Sequence, residues 1–170
     1  MPMARPNDFS LPALFAALDQ RRRERELSWA AVAAEMNGGQ QRPRSLSATT
    51  ISGVGRRTAA EGDGVLQMLL WLGRSPESFV PGLAAGDRHL LRSPGPGRVL
   101  RWDTKGLFSA LDAERRHRQL TWASAARDVG LTPGMMRALA KGGRMSVPAV
   151  MRLVRWLGRP ASEFTHATDR

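Results

Sequence analysis

The chain has no cysteine. Neither a disulfide framework nor a thiolate metal site is open to it, so cohesion has to come from apolar packing, and nothing indicates an oxidising compartment. Long hydrophobic runs are missing too. The longest apolar stretch, Met68 to Leu72, is far short of a membrane span, and the opening Met1-Pro2-Met3-Ala4-Arg5-Pro6-Asn7-Asp8 has no apolar core of signal-peptide length. The chain therefore reads as soluble and cytoplasmic, with no membrane partner. Histidine is scarce: His89, His117 and His166 are scattered, and none has a carboxylate or thiol at ligand or triad spacing. The glycine pairs Gly38-Gly39 and Gly142-Gly143 lack the Lys-Ser/Thr continuation of a phosphate loop and read as turns. These absences lead to the expectation of no enzymatic activity, no cofactor and no metal.

What the chain does have, it has twice. Leu14-Phe15-Ala16-Ala17-Leu18-Asp19 returns as Leu107-Phe108-Ser109-Ala110-Leu111-Asp112, and Leu27-Ser28-Trp29-Ala30 as Leu120-Thr121-Trp122-Ala123, both at an offset of 93. Trp71-Leu72-Gly73-Arg74 returns as Trp156-Leu157-Gly158-Arg159 at an offset of 85, so the first copy carries eight extra residues between its matching blocks. Two units of about 70 residues are each near the size where burial only just offsets chain entropy. The net charge of +11 divides unevenly, with +3 on residues 1–92 and +8 on residues 93–170. A field of this sign fits a nucleic-acid partner, less often an anionic membrane face, and equally well a plain solvated surface.

Each copy reads as four helices and a short fifth. Leu11, Leu14, Phe15 and Leu18 lie at helical spacing after Phe9-Ser10, and Thr104, Leu107, Phe108 and Leu111 do so after Trp102-Asp103. The polar residue caps the helix and the aromatic before it staples onto Leu14 or Leu107. The first helices run out through Arg21-Arg22-Arg23-Glu24-Arg25 and Glu114-Arg115-Arg116-His117-Arg118. New caps at Ser28 and Thr121 start second helices over 29–36 and 122–129. Third helices follow Ser47 and Thr132, with Ile51 and Val54, or Met136 and Leu139, facing inward. Fourth helices span roughly 64–72 and 148–157, closed by Gly73 and Gly158, and a last turn holds Phe79 or Phe164. Between the copies, Ser93-Pro94-Gly95-Pro96-Gly97 reads as a hinge inside a linker over 83–101, with Val99-Leu100 able to dock locally. The recurring tryptophans, Trp29 with Trp122 and Trp71 with Trp156, suit core anchoring, and the methionines of copy two suit core filling.

In copy two, Ala126 is small where a third helix crosses closely, Gly130 takes the positive φ of a tight turn, and Leu131 with Met136 pins helix three to helix two. This segment resembles the helix-turn-helix of the Xre/Cro repressor family, as do the five-helix layout and the Trp-Leu-Gly end of helix four. The resemblance implies an all-α fold of two lambda-repressor-like, four-to-five-helix domains in tandem, over 8–82 and 102–166. Copy one matches with Ala33, Asn37 and Ile51 but lengthens the turn with Gly38 to Ser45. That insertion either reaches phosphate or a minor groove with Arg42 and Arg44, or is a tolerated surface loop.

By the same resemblance helix three enters the major groove of double-stranded DNA. In copy one it would present Thr49, Thr50 and Ser52 behind the cap Ser47, with Arg56 and Arg57 placed for phosphate. In copy two it would present Gly134, Met135 and Arg137 behind the cap Thr132, with Lys141 and Arg144 beyond and Thr121 heading helix two. Arg137 reads as a two-donor fork for a guanine edge or as an ordinary surface arginine. Met135 reads as a thymine-methyl contact or as packing, and Gly134 allows close backbone approach. The expected function is a sequence-specific transcriptional regulator, with a linker whose typical span near 25 Å, with domain widths added, lets one chain cover half-sites about 34 Å apart. The rival is an antitoxin or adaptor that uses one helical domain to bind a protein partner; homo-oligomers and nonspecific nucleoid binding stay open.

Overall fold

Polar side chains start the helices. The computed structural model describes residues 5, 7–39, 45–57, 60–84, 86 and 89–169. In copy one, Ser10 accepts from the Ala13 amide at the start of α1 (Leu11–Glu24), and Ser28 accepts from the Ala31 amide at the start of α2 (Trp29–Met36). Ser47 accepts from the Thr50 amide ahead of α3 (Ala48–Ser52), which passes into a 3₁₀ turn over Val54–Arg56. α4 (Gly62–Leu72) ends at Gly73, φ 66°, and a 3₁₀ turn covers Pro76–Phe79. A strand, β1 (Arg98–Trp102), leads into copy two. There Asp103, Thr121 and Thr132 accept from the Gly106, Ser124 and Met135 amides, opening α5 (Thr104–His117), α6 (Trp122–Val129) and α7 (Pro133–Ala140). α8 (Val147–Leu157) ends at Gly158, φ 67°, before a 3₁₀ turn over Ala161–Phe164 and the strand β2 (Thr165–Asp169).

The described residues are thus mostly helical with one small sheet, where the sequence led to helices alone. β1 and β2 pair antiparallel, Arg98 opposite Asp169 and Trp102 opposite Thr165. Val99, Leu100 and Trp102 are buried, and β1 packs on α4. Two five-residue strands 67 positions apart, one of them the largely polar Thr165-His166-Ala167-Thr168-Asp169, leave too short an alternation to register as strand. The sheet draws on the end of the stretch read as linker and on residues beyond 166.

The eight-residue insertion is closed at its base by one side chain. Asn37, buried at the end of α2, donates from Nδ2 to the Leu46 carbonyl (2.8 Å) and accepts at Oδ1 from the Leu46 amide (2.9 Å). Leu46 holds the place of Leu131 in copy two, so the Asn37 amide does for α2 and α3 what a direct turn does for α6 and α7. Asn37 itself has φ −85°, and the positive φ expected of it falls instead on Gly38 (64°) and Gly39 (72°).

The copies meet through matching residues. The Gly62 amide donates to the Met145 carbonyl (3.1 Å) and the Val147 amide to the Ala60 carbonyl (3.2 Å), around a bridge between Glu61 and Ser146. These residues stand at the same offset of 85 as Trp71 and Trp156. The bridge therefore lies on an internal pseudo-twofold axis. A Cβ on Gly62 would collide with the Trp102 indole and sit 3.0 Å from the Met145 carbonyl oxygen. Around the axis α4 lies on α8, Arg152 holds Asp8 (2.8 Å), Arg101 holds Asp63 (3.0 Å), and buried Glu77 accepts from the Ala161 amide (2.7 Å). Buried apolar residues of both copies form one continuous core. The separation of the copies is accordingly set by this interface, and not by linker length as the hinge reading supposed.

The four repeated tryptophans are half-buried at the rim of that core. Arg22 donates twice to Asp19 (3.0 and 2.7 Å) and once to the Leu27 carbonyl (3.0 Å) while lying over Trp29, 4.9 Å from the ring centre. Arg115 repeats this on Asp112, Leu120 and Trp122. Arg21 and Arg118 lie over Trp71 and Trp156. An indole offers a guanidinium its face while its edge covers apolar neighbours, which is why the core-anchor reading holds only for the inner half of each ring.

Two predictions follow from the closures. Asn37→Ala leaves the Leu46 amide and carbonyl unpaired in a half-buried place and should cost about 1–3 kcal/mol in denaturant unfolding; a loss below about 0.5 kcal/mol would show that the loop closes without it. Burial pushes the Asp8 carboxyl up, but hydrogen bonds from Arg152 and the Arg5 amide, with both positive charges, hold it below its usual value of 3.8. A depressed carboxyl contributes stability that is present above its unfolded pKa and lost as pH falls through the folded one. The stability gap between wild type and Asp8→Asn should therefore narrow below about pH 4, and a gap that stays constant down to pH 2 contradicts the assignment.

Candidate nucleic-acid interface

The third helices face solvent. In copy two the Gly130 turn (φ 71°) lets the Leu131 amide donate back to the Ala126 carbonyl (2.9 Å), and Met136 and Leu139 are buried beneath α7. That burial leaves Thr132, Gly134, Arg137 and Lys141 exposed on one side, with Met135 half-buried against the core. Arg144, past the turn, is exposed and pairs with Glu61 across the pseudo-twofold (3.3 Å). Thr121 is exposed, but its hydroxyl is spent on Ser124, amide and side chain both.

Copy one shows the same arrangement in a shorter helix. Ile51 and Val54 are buried, Ser47, Thr49, Arg56 and Arg57 are exposed, and Thr50 and Ser52 are half-buried. The Thr50 hydroxyl is tied to the Ser47 hydroxyl (2.8 Å). α3 has five residues against eight in α7, because Gly53 and Gly55 follow where copy two has Ala138 and Ala140. Gly55 is required there: a Cβ would stand 2.7 Å from the Cβ of Phe15 on α1. Arg42 and Arg44 lie outside the described residues.

Electrostatics separates the arginines into two groups. Many are held by their own fold: Arg22 and Arg115 in the turn locks, Arg101 and Arg152 between copies, Arg74 and Arg159 over phenylalanine rings. Arg56, Arg57, Arg137 and Lys141 have no ion pair or ring contact among the described residues, and all four sit on the third helices or just past them; exposed Arg92, between the copies, and Arg127, on α6, are also without one. Lys105 joins them from α5, its stem packed so closely over Gly142 that a Cβ there would be 2.8 Å from the Lys105 Cε. Sequence reading missed Lys105, since nothing in the chain signals a contact between residues 105 and 142.

Gly134 has no packing reason to be glycine. A Cβ there would meet nothing nearer than 3.8 Å, and the residue is exposed in the first turn of α7. No protein-family model matches the chain, and no curated protein or solved structure matches it. Among the described residues no helix is long and apolar enough to cross a membrane. Gly134→Ala should leave stability unchanged or raise it by up to about 1 kcal/mol, and if this face meets a duplex through close backbone approach, the same change should weaken that binding at least severalfold. Equal duplex affinity in a fluorescence-anisotropy titration would remove Gly134 from the interface.

Proposed function

We propose that the chain is a sequence-specific regulator of double-stranded DNA, built as two Xre/Cro-type, lambda-repressor-like helix-turn-helix domains, residues 8–82 and 102–166, that act as an intrachain pseudo-dimer. The observation that carries this reading is the pair of solvent-facing third helices on either side of the pseudo-twofold, with unpaired cations at their ends. Arg137 reads a base edge, Thr49, Thr50 and Ser52 read the other half-site, and Arg56, Arg57, Lys141 and Arg144 take phosphates, with the caps Ser47, Thr121 and Thr132 at the backbone. The adaptor alternative needs an apolar docking patch. Among the described residues Leu90 is the one large hydrophobic side chain that is exposed, so the surface favours DNA over a protein partner.

Selection from random duplexes tests this directly. An asymmetric site with two unlike halves is expected, since the two third helices carry different outward residues. Replacing one half by a copy of the other should abolish tight binding, and so should inserting about 5 base pairs between the halves, which rotates one by half a turn. Arg137→Ala should lower specific affinity more than Arg56→Ala, by about 1–3 kcal/mol, and log affinity should fall with log salt at a slope of about 0.9 per phosphate neutralised. No enriched sequence, with salt-sensitive binding to every duplex alike, would replace this reading by nonspecific binding.

A further inference from the structure

The two copies differ most where each third helix meets the neighbouring copy. In copy two Arg152 ties three positions together, reaching Asp8 and the Gly130 carbonyl (3.1 Å) at once. The matching positions across the pseudo-twofold are Gln67, Arg101 and Asn37. Gln67 has no hydrogen-bond partner among the described residues, and a cleft of 710 Å³ opens beside it between α3, α4 and β1. That volume is in the range of small-molecule sites. Its floor is apolar, with Val54, Val65, Met68 and Val99 buried at 1–7% exposure.

Among the described residues the rim's three cations, Arg57, Arg101 and Arg144, match its three acids, Glu61, Asp63 and Asp169, in number, but not in pairing. Of the cations that line the cleft, Arg101 is paired with Asp63 and Arg144 with Glu61, while the third lining acid, Asp169, is paired with Arg98. Arg57 is left with no ion pair among the described residues. An apolar floor beside a guanidinium that has no ion pair among the described residues favours a ligand with an apolar body and one negative charge.

We propose that this cleft binds a small organic monoanion of aryl or alkyl type, its acid group on Arg57 and its body on Val54, Val65 and Met68. The site stands on its own geometry. A regulatory consequence rests on the DNA reading, because Thr50 and Arg57 belong to both surfaces: an occupied cleft withdraws Arg57 from phosphate, so ligand and duplex weaken each other by one shared factor.

The test uses the full chain and two fluorescent probes, 8-anilinonaphthalene-1-sulfonate and its uncharged parent N-phenyl-1-naphthylamine. Wild type should bind the sulfonate saturably at one site. Gln67→Arg restores the residue that copy two has, so a plugged cleft predicts at least tenfold weaker binding, whereas adsorption to a basic surface predicts binding equal or stronger, since a cation has been added. Arg57→Ala should weaken the sulfonate about tenfold and leave the uncharged probe within twofold. Unsaturable binding by wild type, or undiminished binding by Gln67→Arg with a wild-type Tm, overturns the proposal. Should Gln67→Arg not fold, equal loss of both probes in Arg57→Ala overturns the anion assignment in its place. Failure of the DNA reading looks different: the sulfonate still binds at one Arg57-dependent site, but no duplex binds whose affinity the probe can alter.

Discussion

Two backbone hydrogen bonds, Gly62 to Met145 and Val147 to Ala60, fix how the halves of this molecule stand to one another. At about 1 kcal/mol net each they cannot hold two domains together by strength. Their part is selection. Because they join residues at the same offset in the two copies, they admit one register, and the apolar faces of α4 and α8 bury themselves in that register. Each repeat alone is near the size at which a core is marginal, so the shared core is also what makes either half stable. The glycine at position 62 is the local condition for all of this, since Trp102 and the Met145 carbonyl both close on the space a side chain would need.

Local order was legible in the sequence because the signals are local. Six polar caps, the two left-handed glycines that end α4 and α8, and the inward faces of the third helices all follow from side chains within a turn of the feature they set. What stayed hidden depends on pairs far apart. Asn37 looked like a turn residue because copy two has glycine in its place, and only the Leu46 backbone returning after the insertion reveals it as a clasp. β1 was taken for linker because its partner strand lies 67 residues away. The hinge reading of Ser93 to Gly97 rested on the local chain and was silent about the interface that joins the copies. For the candidate site the residues of α3 and α7 were named through the family resemblance; Thr49, Gly134 and Arg137 are exposed, Thr50, Ser52 and Met135 half-buried, and Lys105 was not named.

Duplication supplies an internal comparison that a single domain lacks. The turn locks built on Arg22 and Arg115 are superimposable in chemistry down to the acceptor, so their role in fixing α1 on α2 and α5 on α6 is common to both copies. The copies part company around the third helix: five residues against eight, Asn37 against Gly130, Gln67 against Arg152, Ser52 against Arg137. They also differ away from it, since the last turn of copy two alone runs on into a strand and copy one alone ties Arg25 and Trp71 to Glu35.

The charge of the chain takes its meaning from this division as well. A total of +11 looks like a polyanion footprint, yet arginine here is first a building material, spent on tryptophan faces, helix-end carbonyls and ion pairs between copies. Such cations are partly neutralised and immobile, and they would give up fold stability to meet phosphate. The unspent ones have no such cost, and although Arg92 and Arg127 lie elsewhere, most of them cluster. Lys105, Arg137 and Lys141 gather at the end of α7, Arg56 and Arg57 at the end of α3, each beside a helix whose apolar side is buried and whose other side meets water. Position, rather than sum, is what would let the field fit a duplex, and under the proposed DNA reading Arg57, standing between helix and cleft, is the residue through which a bound anion would be felt.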